Sequence, residues 1–393
     1  MMLPNGWKKV KLGDILTAVD YGTAAKSDAI GKYPVLRMGN LENGYLVWDD
    51  LVYSSSEEEY AKYELKKGDI LFNRTNSRDK VGKTSIYRGE RPSIFAGYLI
   101  RLKVNNECDP YYVNYCMNSK RFAEFCKSVR TDAIGQSNIN AQVLQTYDFS
   151  LPPIEEQKKI AATLSVWDSA IEKMEKLIDA KEKSFNSLLK ELIYFPAESE
   201  RWNIVKLGDV SEMSSGGTPK SSIEKYYNGD VLWVSIADMT EQGMYIKDTA
   251  KKLTKLGIEN SAAKIYPKGT VLYAMYASIG EVSIAKKEMA SSQAILGIQV
   301  SDKLVNKYLY YFLVGQKERI KLQGQVGTQS NLNAGMVKNL DIPIPSIKEQ
   351  NKIIAVLDNG MDELSLLKQQ LENYKKQKQG LMQKLLTGQW RVK

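Results

Sequence analysis

WKKVKLGD at residues 7–14 returns as WNIVKLGD at residues 202–209, an offset of 195 residues (202 − 7). Far downstream of each lies a second matching pair, LPPIEEQKKIAATL at residues 151–164 and IPSIKEQNKIIAVL at residues 344–357. Gln157 and Gln350 align there at an offset of 193 (350 − 157). A repeat of this length copies a whole domain together with the helix behind it, unlike the short units of a solenoid. With 393 residues, each copy is large enough to bury its own core. The chain does one job at two places.

Past Glu155 the apolar residues change period. Ile160, Leu164, Trp167, Ile171, Met174, Ile178, Phe185, Leu188 and Leu192 follow alternating steps of four and three, with Lys181 in the one slot that breaks the series. The second copy repeats the pattern at Ile353, Leu357, Leu364, Leu367, Leu371, Tyr374, Leu381 and Leu385, with Gly360 and Lys378 as its imperfect positions. Steps averaging about 3.5 residues mark a coiled-coil seam, and neither helix can bury such a seam alone. A single copy reads equally well as a helix lying on its own domain; two copies favour pairing with each other about a pseudo-two-fold axis, hence antiparallel. The expected architecture is α+β: two similar mixed α/β domains at residues 1–152 and 196–345, held apart by long helices at residues 153–195 and 346–393, the last with a C-terminal tail. From Ile160 to Leu192 such a helix is about 50 Å long at about 1.5 Å per residue. Gly388 reads as a helix stop, with Arg391 and Lys393 as cations near the negative end of the helix dipole.

Composition narrows the function. The 55 Lys and Arg against 46 Asp and Glu, a net charge of +9, favour a polyanionic partner, nucleic acid first. Histidine is absent, which removes the commonest general base and the commonest zinc ligand. Cys108, Cys116 and Cys126 match no zinc or redox spacing and read as buried thiols. No phosphate-binding loop or dinucleotide fingerprint is present, and a Glu-x-Lys string such as residues 64–66 is too common to define a nuclease site. The N-terminal segment lacks the apolar core of a signal peptide, and no apolar run approaches the roughly 20 residues of a membrane span, so the expected setting is cytoplasmic with no membrane partner.

Between each opening motif and its helix lie short β-rich runs punctuated by Gly, Asn and Pro. Residues 33–38 and 230–235 read as strands; so do 69–72 and 270–273, each after a Lys-Gly turn at Lys67-Gly68 or Lys268-Gly269. A helical period with Tyr-rich faces returns near residues 110–125 and 306–321. The loop FNRTNSRDKVGKT, residues 72–84, sets Asn73, Arg74, Thr75, Asn76, Ser77, Arg78, Lys80 and Lys83 side by side, the groups that read base edges and hold phosphates. Its counterpart, YAMYASIG at residues 273–280, keeps the final glycine but offers Tyr273, Tyr276 and Ser278. Loops that diverge on a repeated frame are what reading an asymmetric site requires. A more uniform pair, Gln136, Ser137 and Asn138 with Gln329, Ser330 and Asn331, precedes each long helix and reads as backbone contacts or as a brace between domain and helix.

These segments, in this order and in duplicate, resemble the specificity subunits of type I restriction-modification systems. The resemblance rests on Trp-preceded VKLGD, KKGDILFNRTNSRDKVGKT at residues 66–84, PPIEEQKKIA, PSIKEQNKIIAVLD and the terminal LLTGQWRV, and it covers nearly the whole chain. It implies two target-recognition domains with spacer helices, a bipartite double-stranded DNA site, and a chain that is not itself an enzyme. It also implies two methyltransferase subunits docked along the spacer helices, whose seam at Ile160, Leu164, Trp167, Ile171, Ile353, Leu357, Leu364 and Leu371 faces the other helix, and restriction subunits joined through that core. S-adenosylmethionine, ATP and Mg belong to those partners, and no cofactor or metal is expected in this chain; Leu151-Pro152-Pro153 lacks the Asn or Asp of an adenine methyltransferase motif. The remaining alternatives are a specificity subunit of a related methylase or phage-defence assembly, a coiled-coil protein scaffold without DNA affinity, and a self-sufficient nuclease.

Overall fold

The structure, a computed structural model, describes residues 3–194, 202–276, 278–324 and 332–392. Gln329, Ser330 and Asn331 lie outside the described residues. The chain forms two compact units, Met1–Glu175 with Gln370–Lys393, and Lys176–Gln369. Each therefore joins one globular body to a part of both long helices, Ile154–Leu189 and Ile347–Leu386.

The repeated opening motif is a strand followed by a tight turn. In the first unit Lys8–Lys11 pairs antiparallel with Asp148–Leu151, and in the second Asn203–Lys206 pairs with Asp341–Ile344. Leu12 and Leu207 then plunge into the core through one 3₁₀ turn. The Asp14 carboxylate accepts the Lys11 backbone N–H at 2.9 Å, which explains an Asp three residues after the Lys. The strand just before each long helix and the motif at the start of each copy are thus one ladder.

Each body is built on an antiparallel sheet. The first runs in the spatial order Leu16–Tyr21, Leu99–Val104, Ile70–Asn73, Thr84–Ile86; the second runs Ser211–Ser215, Ile295–Val300, Val271–Ala274, Val282–Ala285, Tyr245–Ile246, the last pair parallel. The Lys-Gly turns enter the central strands with Gly68 at φ +95° and Gly269 at φ +93°, a conformation that side chains resist. The Tyr-rich helix differs between copies. Asn306–Gly324 is one helix, whereas the first copy breaks into Pro110–Cys116 and Lys120–Val129, because the Ser119 hydroxyl caps the second piece by accepting the Phe122 N–H at 3.2 Å.

Gln157 and Gln350 carry out the same task. Gln157 is buried; its Oε1 accepts the Asp109 N–H at 2.8 Å, and its Nε2 donates to the carbonyls of Glu107 and Pro152 at 3.1 and 2.9 Å. Gln350 accepts from Val305 N–H at 2.8 Å and donates to Lys303 and Pro345, both at 2.9 Å. An amide with both ends satisfied locks the first turn of each long helix to the loop ahead of the Tyr-rich helix. In the first unit three signature segments also meet: Trp7 Nε1 donates to Glu156 at 3.1 Å, and the Arg391 guanidinium clasps the same carboxylate at 3.0 and 2.7 Å.

The long helices serve two kinds of packing. Ile160 and Leu164 are buried in the core of the first body together with Leu385 and Leu386 from the other helix, and Ile353 and Leu357 in the core of the second with Phe185 and Leu189. Both readings of the heptads therefore apply, helix on own domain and helix on helix. Within the first unit the ion pairs from helix to helix include Asp168 with Lys378 and Glu175 with Lys375; within the second they include Lys181 with Glu363 and Glu182 with Lys368. In each unit, moreover, the number on one helix falls as its partner's rises (168 and 378 against 175 and 375, 185 and 360 against 181 and 363), the mark of antiparallel pairing. Trp167, Ile171 and Leu371 are half-buried along the seam, Trp167 meeting Tyr374 edge-on at 6.0 Å, and Leu364 is buried. The helix Ile347–Leu386 ends before Gly388, which takes φ +75°.

Candidate nucleic-acid interface

The polar loop of the first unit leaves the sheet at Asn73 and re-enters it after Gly82. Gly82, at φ +93°, donates its N–H to the Asn73 carbonyl at 2.9 Å, and Asn73 N–H reaches Lys83 O at 2.8 Å. A Cβ on Gly82 would lie 2.9 Å from Cys126 Sγ, so the return passes close to the helix beneath. The second unit closes its loop in the same way, Gly280 at φ +85° donating to Ala274 O at 3.1 Å. Between those bonded residues the first loop is three positions longer (82 − 73 against 280 − 274).

Two residues of the paired loops do not belong to the surface. Asn73 is fully buried, with its Nδ2 donating to Lys80 O at 3.3 Å, so it shapes the loop from inside. Tyr273 is likewise fully buried on the central strand, and burial pushes its phenol well above the ordinary range. Each strand ends one residue beyond its sequence-based bound, at Asn73 and Ala274, and interior-facing positions follow the strand rather than the polarity of the side chain.

The rest of the loop faces outward. The Arg74 guanidinium stacks over Tyr21 at 4.9 Å, and its backbone N–H bonds Tyr98 O at 3.2 Å, which brings two exposed tyrosines into the patch that sequence reading missed. Thr75 and Asn76 are half-buried; Ser77, Arg78 and Lys80 are exposed. Asn76 Oδ1 accepts the Ser77 N–H at 2.8 Å, and Lys83 pairs with Glu42, so these two have local partners. In the second unit Tyr276 and Ser278 are exposed.

Thr75–Asn76 forms the edge of a small sheet with Gln136–Asn138 and Thr131–Ala133. Ser137 is buried, Asn138 Nδ2 donates to Thr75 Oγ1 at 3.2 Å, and Gln136 is exposed. The brace expected here between domain and long helix is instead a brace of the polar loop. Asn140 caps only the short helix Ala141–Leu144, and the Asp148–Leu151 strand intervenes before the long helix. The three cysteines are free and buried, and burial raises the thiols of Cys108, Cys116 and Cys126 to about 11, 12 and 12, so all three are poor nucleophiles. Among the described residues no group of three or more acidic or Cys side chains could hold a metal, and no helix is long and apolar enough to cross a membrane.

Two sheet bodies, each ending in a paired long helix and presenting a variable loop on a fixed frame, define a duplicated recognition fold. The family model for the type I restriction modification DNA specificity domain matches the chain twice, over residues 4–182 and 199–375, and the chain belongs to that family. It is 29% identical to the MjaX specificity subunit of Methanocaldococcus jannaschii over 100% of this chain and 95% of that one, and 24% identical, at the same coverage, to the MjaVIII specificity subunit of that organism. A solved chain from a study of assembly and conformational transition in a type I restriction-modification system superposes with a TM-score of 0.65 at 16% identity, covering 99% of this chain and 100% of that one. The S subunit from M. genitalium superposes with a TM-score of 0.58, at 16% identity over 98% of both chains.

Proposed function

We propose that this chain chooses the DNA site for a type I restriction-modification complex and carries out no chemistry itself. Each unit reads one short half-site, and methyltransferase subunits dock along the long helices. Those partners carry S-adenosylmethionine, and restriction subunits that use ATP and Mg join through them. The observation that supports this reading is the contrast between frame and loop. The opening ladder, the glutamine lock and the closing glycine recur in both copies, while the loop they frame changes in length and chemistry. One frame with two unlike loops fits a bipartite, asymmetric sequence.

Lys and Arg at the surface supply salt-sensitive attraction through counterion release. Specificity comes from side chains such as Arg74, held in place by Tyr21, since a bidentate contact to a base is worth about 1–3 kcal/mol against the wrong one. Co-expression with the cognate methyltransferase subunit, followed by mapping of methylated adenines, should yield one two-part motif with a fixed gap. Arg74→Ala should relax one half of that motif and leave the other intact. A motif that is unchanged, or relaxed equally in both halves, refutes the assignment of Arg74; methylation that does not depend on this chain refutes the function.

A further inference from the structure

Beside the polar loop stands a ribbon whose tip has no structural duty. Thr131–Ala133 and Gln136–Asn138 pair antiparallel with Ala133 opposite Gln136, so residues 134 and 135 alone make the turn. Gly135 supplies the left-handed residue, at φ +79°. Ile134 is left with no turn requirement to meet and no core to join, and its side chain is fully in solvent at 107% relative exposure. A large β-branched residue is an unusual choice for a two-residue hairpin turn, where Gly, Asn and Asp prevail.

The ribbon is held firmly against the loop. Ser137 and Asn138 pair with Asn76 and Thr75. Asp132 accepts the Ser137 hydroxyl at 2.5 Å and lies 3.3 Å from the Arg78 guanidinium and 3.2 Å from that of Arg130. The Ser137 hydroxyl foremost, with both arginines, holds the Asp132 carboxyl below the usual range. The ribbon's carboxylate is thus matched by two cations, and the ribbon can approach a phosphate backbone. A two-stranded ribbon is one of the protein elements that the major groove admits, and the apolar group exposed there is the 5-methyl of thymine. Wedges that unstack bases work from the minor groove.

We propose that Ile134 is a specificity-determining residue that packs on a thymine methyl within the half-site read by the first unit. This rests on the DNA-reading function proposed above. The test uses the full chain assembled with its methyltransferase subunits and duplexes carrying the mapped motif, in which each thymine of that half-site is replaced in turn by uracil, deleting only the methyl. If wild type does not prefer the thymine duplex to a scrambled one, the DNA-reading function itself fails and the proposal with it. Given that preference, one uracil position should weaken wild-type binding about fourfold, the loss of one buried methyl. Ile134→Ala should bind the thymine duplex more weakly by a similar factor and no longer distinguish thymine from uracil at that position. Wild type that binds every uracil duplex as tightly as the thymine one, or a uracil penalty that persists in Ile134→Ala, overturns the proposal while leaving the DNA-reading function standing.

Discussion

Trp167 and Gly360 occupy equivalent places in the two copies, as do Lys378 and Phe185, each pair at the same offset of 193 as the two glutamines. In the first unit this layer of the helix pair is large and polar. Trp167 stacks edge-on against Tyr374, and beside it buried Asp168 accepts the Tyr115 hydroxyl and pairs with Lys378. In the second unit the layer is apolar: the Phe185 ring fills the space that Gly360 leaves open, where a Cβ would come within 2.9 Å of Cδ2. The buried tyrosine of that unit, Tyr311, finds its carboxylate on Asp358, whose cation is Lys307 from the globular body rather than a residue of the other helix. The apolar layer gains stability from area and fit; the ionic layer gains little net stability after desolvation but penalises the wrong neighbour. Helices that carry one solution at each end cannot be exchanged for each other without placing Asp168 away from Lys378 or a second large side chain against Phe185.

The largest change should come from the apolar layer. Phe185 is buried and packs on Gly360 and, at 6.3 Å between ring centroids, on Tyr311. Phe185→Ala leaves a cavity that a glycine opposite cannot fill, and should cost about 3–5 kcal/mol in denaturant unfolding. Refilling the space from the other side, Gly360→Leu on Phe185→Ala, should recover part of that loss. If the double variant is no more stable than the single one, the ring and the glycine are not a matched pair.

The ionic layer makes the opposite prediction. Lys378→Ala leaves Asp168 buried without its cation, with the Tyr115 hydroxyl still donating to it, and should cost about 2–3 kcal/mol, somewhat less than a fully enclosed pair because the lysine stem is partly exposed. Replacing both, Asp168→Leu with Lys378→Leu, should restore or exceed wild-type stability, since an apolar pair of similar volume avoids desolvation. A double variant as unstable as Lys378→Ala would mean that the pair contributes net stability and is more than a key.

These layers show where sequence reading stops. The repeat, the strands after the Lys-Gly turns and the heptad seam are local or periodic, so they are visible in one dimension. The three imperfect seam positions look like errors in the period, yet each has a partner: Lys181 meets Glu363, Gly360 makes room for Phe185, and Lys378 meets Asp168. Their partners lie on the other helix, 182 (363 − 181), 175 (360 − 185) and 210 (378 − 168) residues away, and no local pattern points to them. The same holds for the interface. Polarity singled out residues 73–83 but could not tell that Asn73 turns inward, that Tyr21 and Tyr98 join the patch, or that residues 136–138 brace the loop, because these follow from sheet register.

Where the copies agree, the expected effects should agree too, and they are the smallest. Gln157→Ala and Gln350→Ala each remove one acceptor and two donor bonds at a buried helix start, leaving one backbone N–H and two carbonyls to find new partners. Glu107 and Lys303 are exposed and Asp109 and Val305 half-buried, so those groups can take water, while the carbonyls of buried Pro152 and Pro345 lose their donor; the cost should be about 1–2 kcal/mol for each variant, equal within error. Hydrogen exchange separates the two sites: the Asp109 amide should lose protection only in the first variant and the Val305 amide only in the second. Glutamate at either position keeps the acceptor, loses both donors and turns a carboxylate oxygen toward two carbonyls, so Gln157→Glu should preserve protection at Asp109 while lowering stability at least as much as alanine does. Unequal losses in the two alanine variants would show that the copies have diverged at their joints as well as in their loops, and that the frame is not held constant while its loops vary.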